Sequence, residues 1–105
     1  MMTKLSNETC VPCKGDVPAL EGAELAKLHR QVPGWKLVDG HHLEKRFRFG
    51  NFREALDFVN RVGVLAEEQG HHPDIGFGWG WVEISLFTHT IGGLTRNDFV
   101  LAAKV

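Results

Sequence analysis

The chain has 105 residues, 43% hydrophobic and 24% charged, with a formal net charge of −1; that is the make-up of one globular domain and leaves little room for repeats or a second domain. A near-neutral balance offers no excess of clustered cations to release counterions from a polyanion, so nucleic acid is not the expected partner. No apolar run approaches the roughly 18–20 residues of a membrane span, and Met1 to Cys10 lacks a signal-peptide profile, so a cytoplasmic protein without membrane association is expected.

In chain order, residues 1–19 hold both cysteines and no hydrophobic period, and read as a leader that lies on the domain or is mobile. The domain is expected over residues 20–105. Cys10 and Cys13 form one C-x-x-C, but a tetrahedral zinc site needs a second pair, and no βαβ pattern surrounds it as in thioredoxins. An intersubunit metal site or a thiol switch stands against the plainer reading of a reduced leader. Gly22 to Val32 predicts a short helix closed by Pro33-Gly34. Trp35 and Leu37, then Asp39-Gly40, then Leu43, Lys45, Phe47 and Phe49 predict a β-hairpin, because Asp-Gly tolerates the positive φ of a hairpin turn.

Asn51 is a good N-cap with Glu54 three residues on, and Phe52, Ala55, Leu56, Val59, Gly63 and Ala66 recur at helical spacing. A long helix should run to about Gln69, with Gly70 at its C′ position. Gly78-Trp79-Gly80 supplies a turn, after which Val82, Ile84 and Leu86 share one strand face while Trp81, Glu83, Ser85, Phe87 and His89 share the other. Thr95 with Asp98 three residues later marks the start of a last short helix. The order is α-β-β-α-β-β-α, which argues for an α+β two-layer sandwich: a four-stranded antiparallel sheet with helices on one face. Trp81 and Phe87 then fall on the open face, where apolar area on a small domain marks a subunit or ligand contact; a homo-oligomer is expected.

For chemistry the chain has no tyrosine and six histidines, so imidazole proton transfer near neutrality is the class to consider first. His41-His42 follows the hairpin turn and is expected to be simply solvated. His71-His72-Pro73 leaves the long helix at its C-terminus, where free carbonyls orient or stabilise imidazoles. Pro73 stiffens that exit, and adjacent rings diverge rather than chelate one ion. Glu67 lies four residues before His71, one helical turn back, and is expected to orient that ring or hold its proton. His89 ends the last strand, and Gly92-Gly93 leads from it to Asp98 at the start of the final helix. Taken singly, these are also a capping histidine, a strand-end histidine and a capping aspartate, and spacing alone does not join them.

Taken together, Glu67-x-x-x-His71-His72-Pro73, then Trp79, His89 and Asp98 at their spacings, resemble the signature of the pterin-4a-carbinolamine dehydratases. Pro33-Gly34-Trp35, Phe47-x-Phe49-x-x-Phe52, Thr88-His89 and Gly93-Leu94-Thr95 extend the resemblance over residues 20–105. It implies removal of water from 4a-hydroxytetrahydropterin to give quinonoid dihydropterin, the recycling step after aromatic amino acid hydroxylation. It further implies no metal or other cofactor, dimers that pair into tetramers, and a hydroxylase acting in the same pathway. The catalytic imidazoles would be His71, His72 and His89. The pterin would lie along His71–Pro73 and Thr88–Ile91, engaging Pro73, Thr88, Thr90 and Ile91, with Glu67 and Asp98 orienting the rings. The Gly- and Trp-rich turn 78–81 and the leader depart from the animal members. The alternative function is that of a dimerisation or assembly cofactor for another protein, as some relatives are. A metalloprotein reading is weaker, because no chelating helix spacing such as H-x-x-x-H occurs.

Overall fold

The computed structural model describes residues 4–11 and 18–105. Helix α1 spans Gly22–His29, strand β1 Lys36–Val38, strand β2 His42–Arg48, helix α2 Phe52–Gln69, strand β3 Asp74–Gly78, strand β4 Trp81–Leu86 and helix α3 Arg96–Lys104. All pairings are antiparallel, and the sheet order is β1-β2-β4-β3. The α-β-β-α-β-β-α order and the α+β class are therefore as expected. Helix α1 ends at His29, three residues short of the expected Val32, because Gln31 and Val32 donate to carbonyls three residues back and tighten the chain into turns before Pro33.

The turns explain the strand pairing. Asp39 and Gly40 both take positive φ, 54° and 65°, and the His41 amide donates to the Val38 carbonyl, a backbone twist that matches the strands it joins. In β4 the alternation is strict: Val82, Ile84 and Leu86 are fully buried, and the register sets Leu43 opposite Leu86 and Phe47 opposite Val82 on the same face. Phe99, Leu94 and Leu101 complete this core from the helix side.

The open face differs in one detail from expectation. Trp81 is not a bare apolar patch: its indole lies across β3, where a Cβ on Gly78 would come within 2.7 Å of Nε1, and the Arg46 guanidinium sits 4.7 Å from the ring centroid. Gly78 thus makes room for a side chain, and Trp79 in the turn is the exposed indole, at 73%.

Residues 4–11 pack on the domain. A short 3₁₀ turn, Leu5–Asn7, buries Leu5 against the core, and Cys10 is buried further along. Arg96 grips Glu8 with two bonds of 2.8 Å, Nε to Oε1 and Nη2 to Oε2, and Lys104 donates to the Ser6 carbonyl. This strap covers the outer side of α3, which is why Asn97 through Ala102 are buried consecutively instead of at helical period. Cys13 lies outside the described residues; the Cys10 Sγ lies 3.6 Å from the Asn97 carbonyl.

Candidate active site

The end of α2 aims the first histidine. Asn51 accepts the Glu54 amide at the start of the helix, while the Glu54 carboxylate reaches back to the Gly50 amide, one position beyond the usual box. At the other end Gly70 is left-handed, φ 64°; its amide donates to Glu67 and the His71 amide to Ala66, the Schellman pattern of hydrogen bonds. His71 is thereby the second residue outside the helix and turns inward. Its side chain is 10% exposed, and its Nε2 lies 2.6 Å from Asp98 Oδ1.

Asp98 is fully buried at the first turn of α3. Its Oδ2 accepts the Thr95 amide at 2.9 Å, which caps the helix, and the Thr88 hydroxyl, also at 2.9 Å. Since Thr88 spends its one hydroxyl proton on the carboxylate, it accepts from Thr95 Oγ1, 2.8 Å away. Three donors thus converge on one buried carboxylate, the condition under which such a group is tolerated in a core. A carboxylate only accepts, so His71 donates to Asp98 through Nε2.

The remaining two histidines are held more loosely. His72 Nε2 is 2.8 Å from Glu67 Oε2, both side chains being well exposed, and His89 Nε2 is 3.3 Å from Asp74 Oδ2, again in solvent. The expectation that Glu67 orients His71 is corrected: Glu67 pairs with His72, and Asp98 takes His71. One turn back along a helix ceases to be the nearest position once the chain has left the helix at Gly70. Asp74 as the partner of His89 was not anticipated; its place at the start of β3, paired in register with Ser85 two residues from Phe87, carried no local sign of it.

All three imidazoles line one cleft of about 220 Å³. Thr88, Thr90, Asn97, Gly70 and Val11 share it. Of the other expected contact residues, Asp98 stands behind His71 and Glu67 beside His72, while Pro73 and Ile91 are not among the lining residues. Ile91 instead shapes the corner: its amide and that of Gly92 donate to the Thr88 carbonyl, and Thr88 pairs back with Gly93. His41 and His42 are not merely solvated. The His41 ring centroid is 4.8 Å from that of Phe87, which lies 4.1 Å from that of His89, so the hairpin tip packs toward the site through one phenyl ring. Among the described residues no group of three His, Cys, Asp or Glu side chains is placed to hold a metal ion, and no helix is long and apolar enough to cross a membrane.

The profile of the family described as pterin 4 alpha carbinolamine dehydratase matches residues 18–105. The chain belongs to that family. A Rubrobacter xylanophilus protein provisionally named a pterin-4-alpha-carbinolamine dehydratase is 68% identical over 104 residues, covering 99% of this chain and 97% of its own length. A relative from Cupriavidus pinatubonensis with the same provisional name is 55% identical, covering 99% of this chain and 90% of its own length. Among solved structures, a transcriptional coactivator/pterin dehydratase from Brucella melitensis superposes with a TM-score of 0.75 at 31% identity, covering 82% of this chain and 93% of its own. A pterin dehydratase-like protein identified as a RuBisCO assembly factor in the α-carboxysome gives 0.52 at 32% identity, covering 68% and 89%.

Proposed function

We propose that this member of the dehydratase family is an active enzyme that removes water from 4a-hydroxytetrahydropterin by histidine acid–base catalysis. The observation that carries the reading is the convergence of His71, His72 and His89 on one cleft, each ring hydrogen-bonded to its own carboxylate. The reaction needs a proton on the departing 4a-hydroxyl as the carbon–oxygen bond breaks, and a base for the ring N–H proton as the carbon–nitrogen double bond forms. Imidazoles suit both steps near neutral pH. One of His71 and His72 protonates the hydroxyl, and His89 receives the nitrogen proton. The cleft is smaller than the roughly 300–1,000 Å³ of pockets for drug-sized ligands, which fits a bicyclic heterocycle whose side chain stays in solvent.

The test is the decay of 4a-hydroxytetrahydropterin with and without the protein, because spontaneous dehydration sets the background. Acceleration is expected, and each of His71→Ala, His72→Ala and His89→Ala should lose roughly 10²–10⁴-fold in kcat where the ring transfers a proton. Unchanged turnover in all three variants would remove the assignment. The physiological role follows as recycling of tetrahydropterin beside an aromatic amino acid hydroxylase, in the cytoplasm, with the chain acting as a homodimer or homotetramer.

A second reading, an assembly or dimerisation partner for another protein, is supported by the two solved relatives described as a coactivator and as an assembly factor. Absence of any acceleration, with all three histidines in place, would favour it.

A further inference from the structure

Among the described residues that line the cleft, Val11 is the sole aliphatic side chain; it lies outside the helices and the sheet and is 66% exposed. Its backbone is held by one side chain. Asn97, buried in the first turn of α3, accepts the Val11 amide on Oδ1 at 3.0 Å and donates through Nδ2 to the Val11 carbonyl. The preceding residue is tied as well, the Cys10 amide donating to Gln69 Oε1 at 2.9 Å, at the end of α2. Gln69 and Asn97 stand two residues before His71 and one before Asp98, so the elements that set the His71–Asp98 pair also set the strap.

A flat heterocycle among polar groups needs an apolar surface to lie against, while the polar groups fix its edges. Histidines and threonines supply the edges here. Two backbone bonds from a buried amide side chain fix the end of a strap that Leu5 and the Glu8–Arg96 pair already anchor, and Val11 stays exposed beside the cleft.

We infer that the N-terminal strap is part of the binding site, with Val11 packing against the ring face of the pterin and Asn97 acting as the positioning residue that holds Val11 there. This rests on the dehydratase reading and names a further determinant of affinity at the same site. Covering two methyl groups in part corresponds to roughly a 3–10-fold change in affinity.

The experiment compares the wild-type full chain with Val11→Ala and Asn97→Asp, by titration with 7,8-dihydropterin and by steady-state dehydration of 4a-hydroxytetrahydropterin. Val11→Ala should raise both Kd and KM by roughly 3–10-fold with kcat and Tm unchanged, since the side chain is exposed and carries no proton. Asn97→Asp keeps an acceptor for the Val11 amide but sets an oxygen against the Val11 carbonyl, and should also raise KM. A purely structural strap would lower Tm and leave Kd alone. Wild type that binds and turns over while Val11→Ala matches it in Kd and KM overturns the inference and leaves the dehydratase reading standing. Wild type that neither binds dihydropterin nor accelerates dehydration overturns both.

Discussion

Asp98 does two things at once: one oxygen caps α3 through the Thr95 amide and the other holds the His71 ring. Of the three histidine–carboxylate pairs at the cleft, only this one is buried, and exposed pairs of the His72–Glu67 and His89–Asp74 kind contribute little to fixing a ring. The order Thr95 to Thr88 to Asp98 to His71 makes Thr88 its middle link. Thr88→Val keeps the shape and removes both of the hydroxyl's bonds, one of them to a buried carboxylate. The expected cost is about 1.5–3 kcal/mol in urea unfolding at unchanged m, together with a fall in kcat smaller than that of His71→Ala. Stability equal to wild type would show that the carboxylate finds another donor. Local spacing carried the cap; a ring-orienting role for Asp98 came only with the family resemblance, without saying which ring. Thr95 and Asp98 are three residues apart and declare themselves locally, whereas His71 and Asp98 are 27 apart and meet only because Gly70 turns the chain inward.

At the scale of elements, the strands and α2 were readable because their signals are local: strict alternation in β4, a left-handed glycine after Gln69, an Asp-Gly turn. The strap was left open between lying on the domain and moving freely, because its apolar residues are single. Leu5 and Cys10 each fill a gap against α3, and no period joins them. What holds the strap is partly ionic, and that gives it a pH dependence. Hydrogen bonds from Arg96 hold the Glu8 carboxyl below its ordinary value of 4.5, and Glu8 holds the Arg96 guanidinium above its own. A carboxyl lowered in the folded state stabilises attachment above its unfolded pKa, and that contribution is lost as pH falls through the lowered folded value. Arg96 stays charged throughout. The Glu8 carboxyl resonance should therefore titrate below 4.5, with the Arg96 Nε–H and Val11 amide shifts moving in step. Glu8→Gln should abolish that titration at the Val11 amide. A Val11 amide indifferent to Glu8 would mean that Asn97 and Gln69 fix the Val11 end of the strap without help from the ion pair.

For the molecule as a whole, the histidine cleft and an apolar depression lie close together along the last turns of α2. Val64 is 60% exposed, and with half-buried Val59 and Ile75 it borders a shallow apolar depression that Gly63 leaves open. Apolar area of this kind on so small a domain is expected to be covered by a second copy, which is how the proposed homo-oligomer would form. The depression reaches Glu67, the partner of His72, so association and the cleft share one side chain. Among the described residues, none of those that line the cleft also borders the depression. Val64→Lys should accordingly lower the molecular mass seen by sedimentation equilibrium while kcat per chain persists, any loss being confined to a change in the His72–Glu67 pair. A wild-type protein that sediments as a monomer would remove the oligomer. A monomeric Val64→Lys variant without activity would show that the partner copy is needed to hold Glu67, and hence His72, in place.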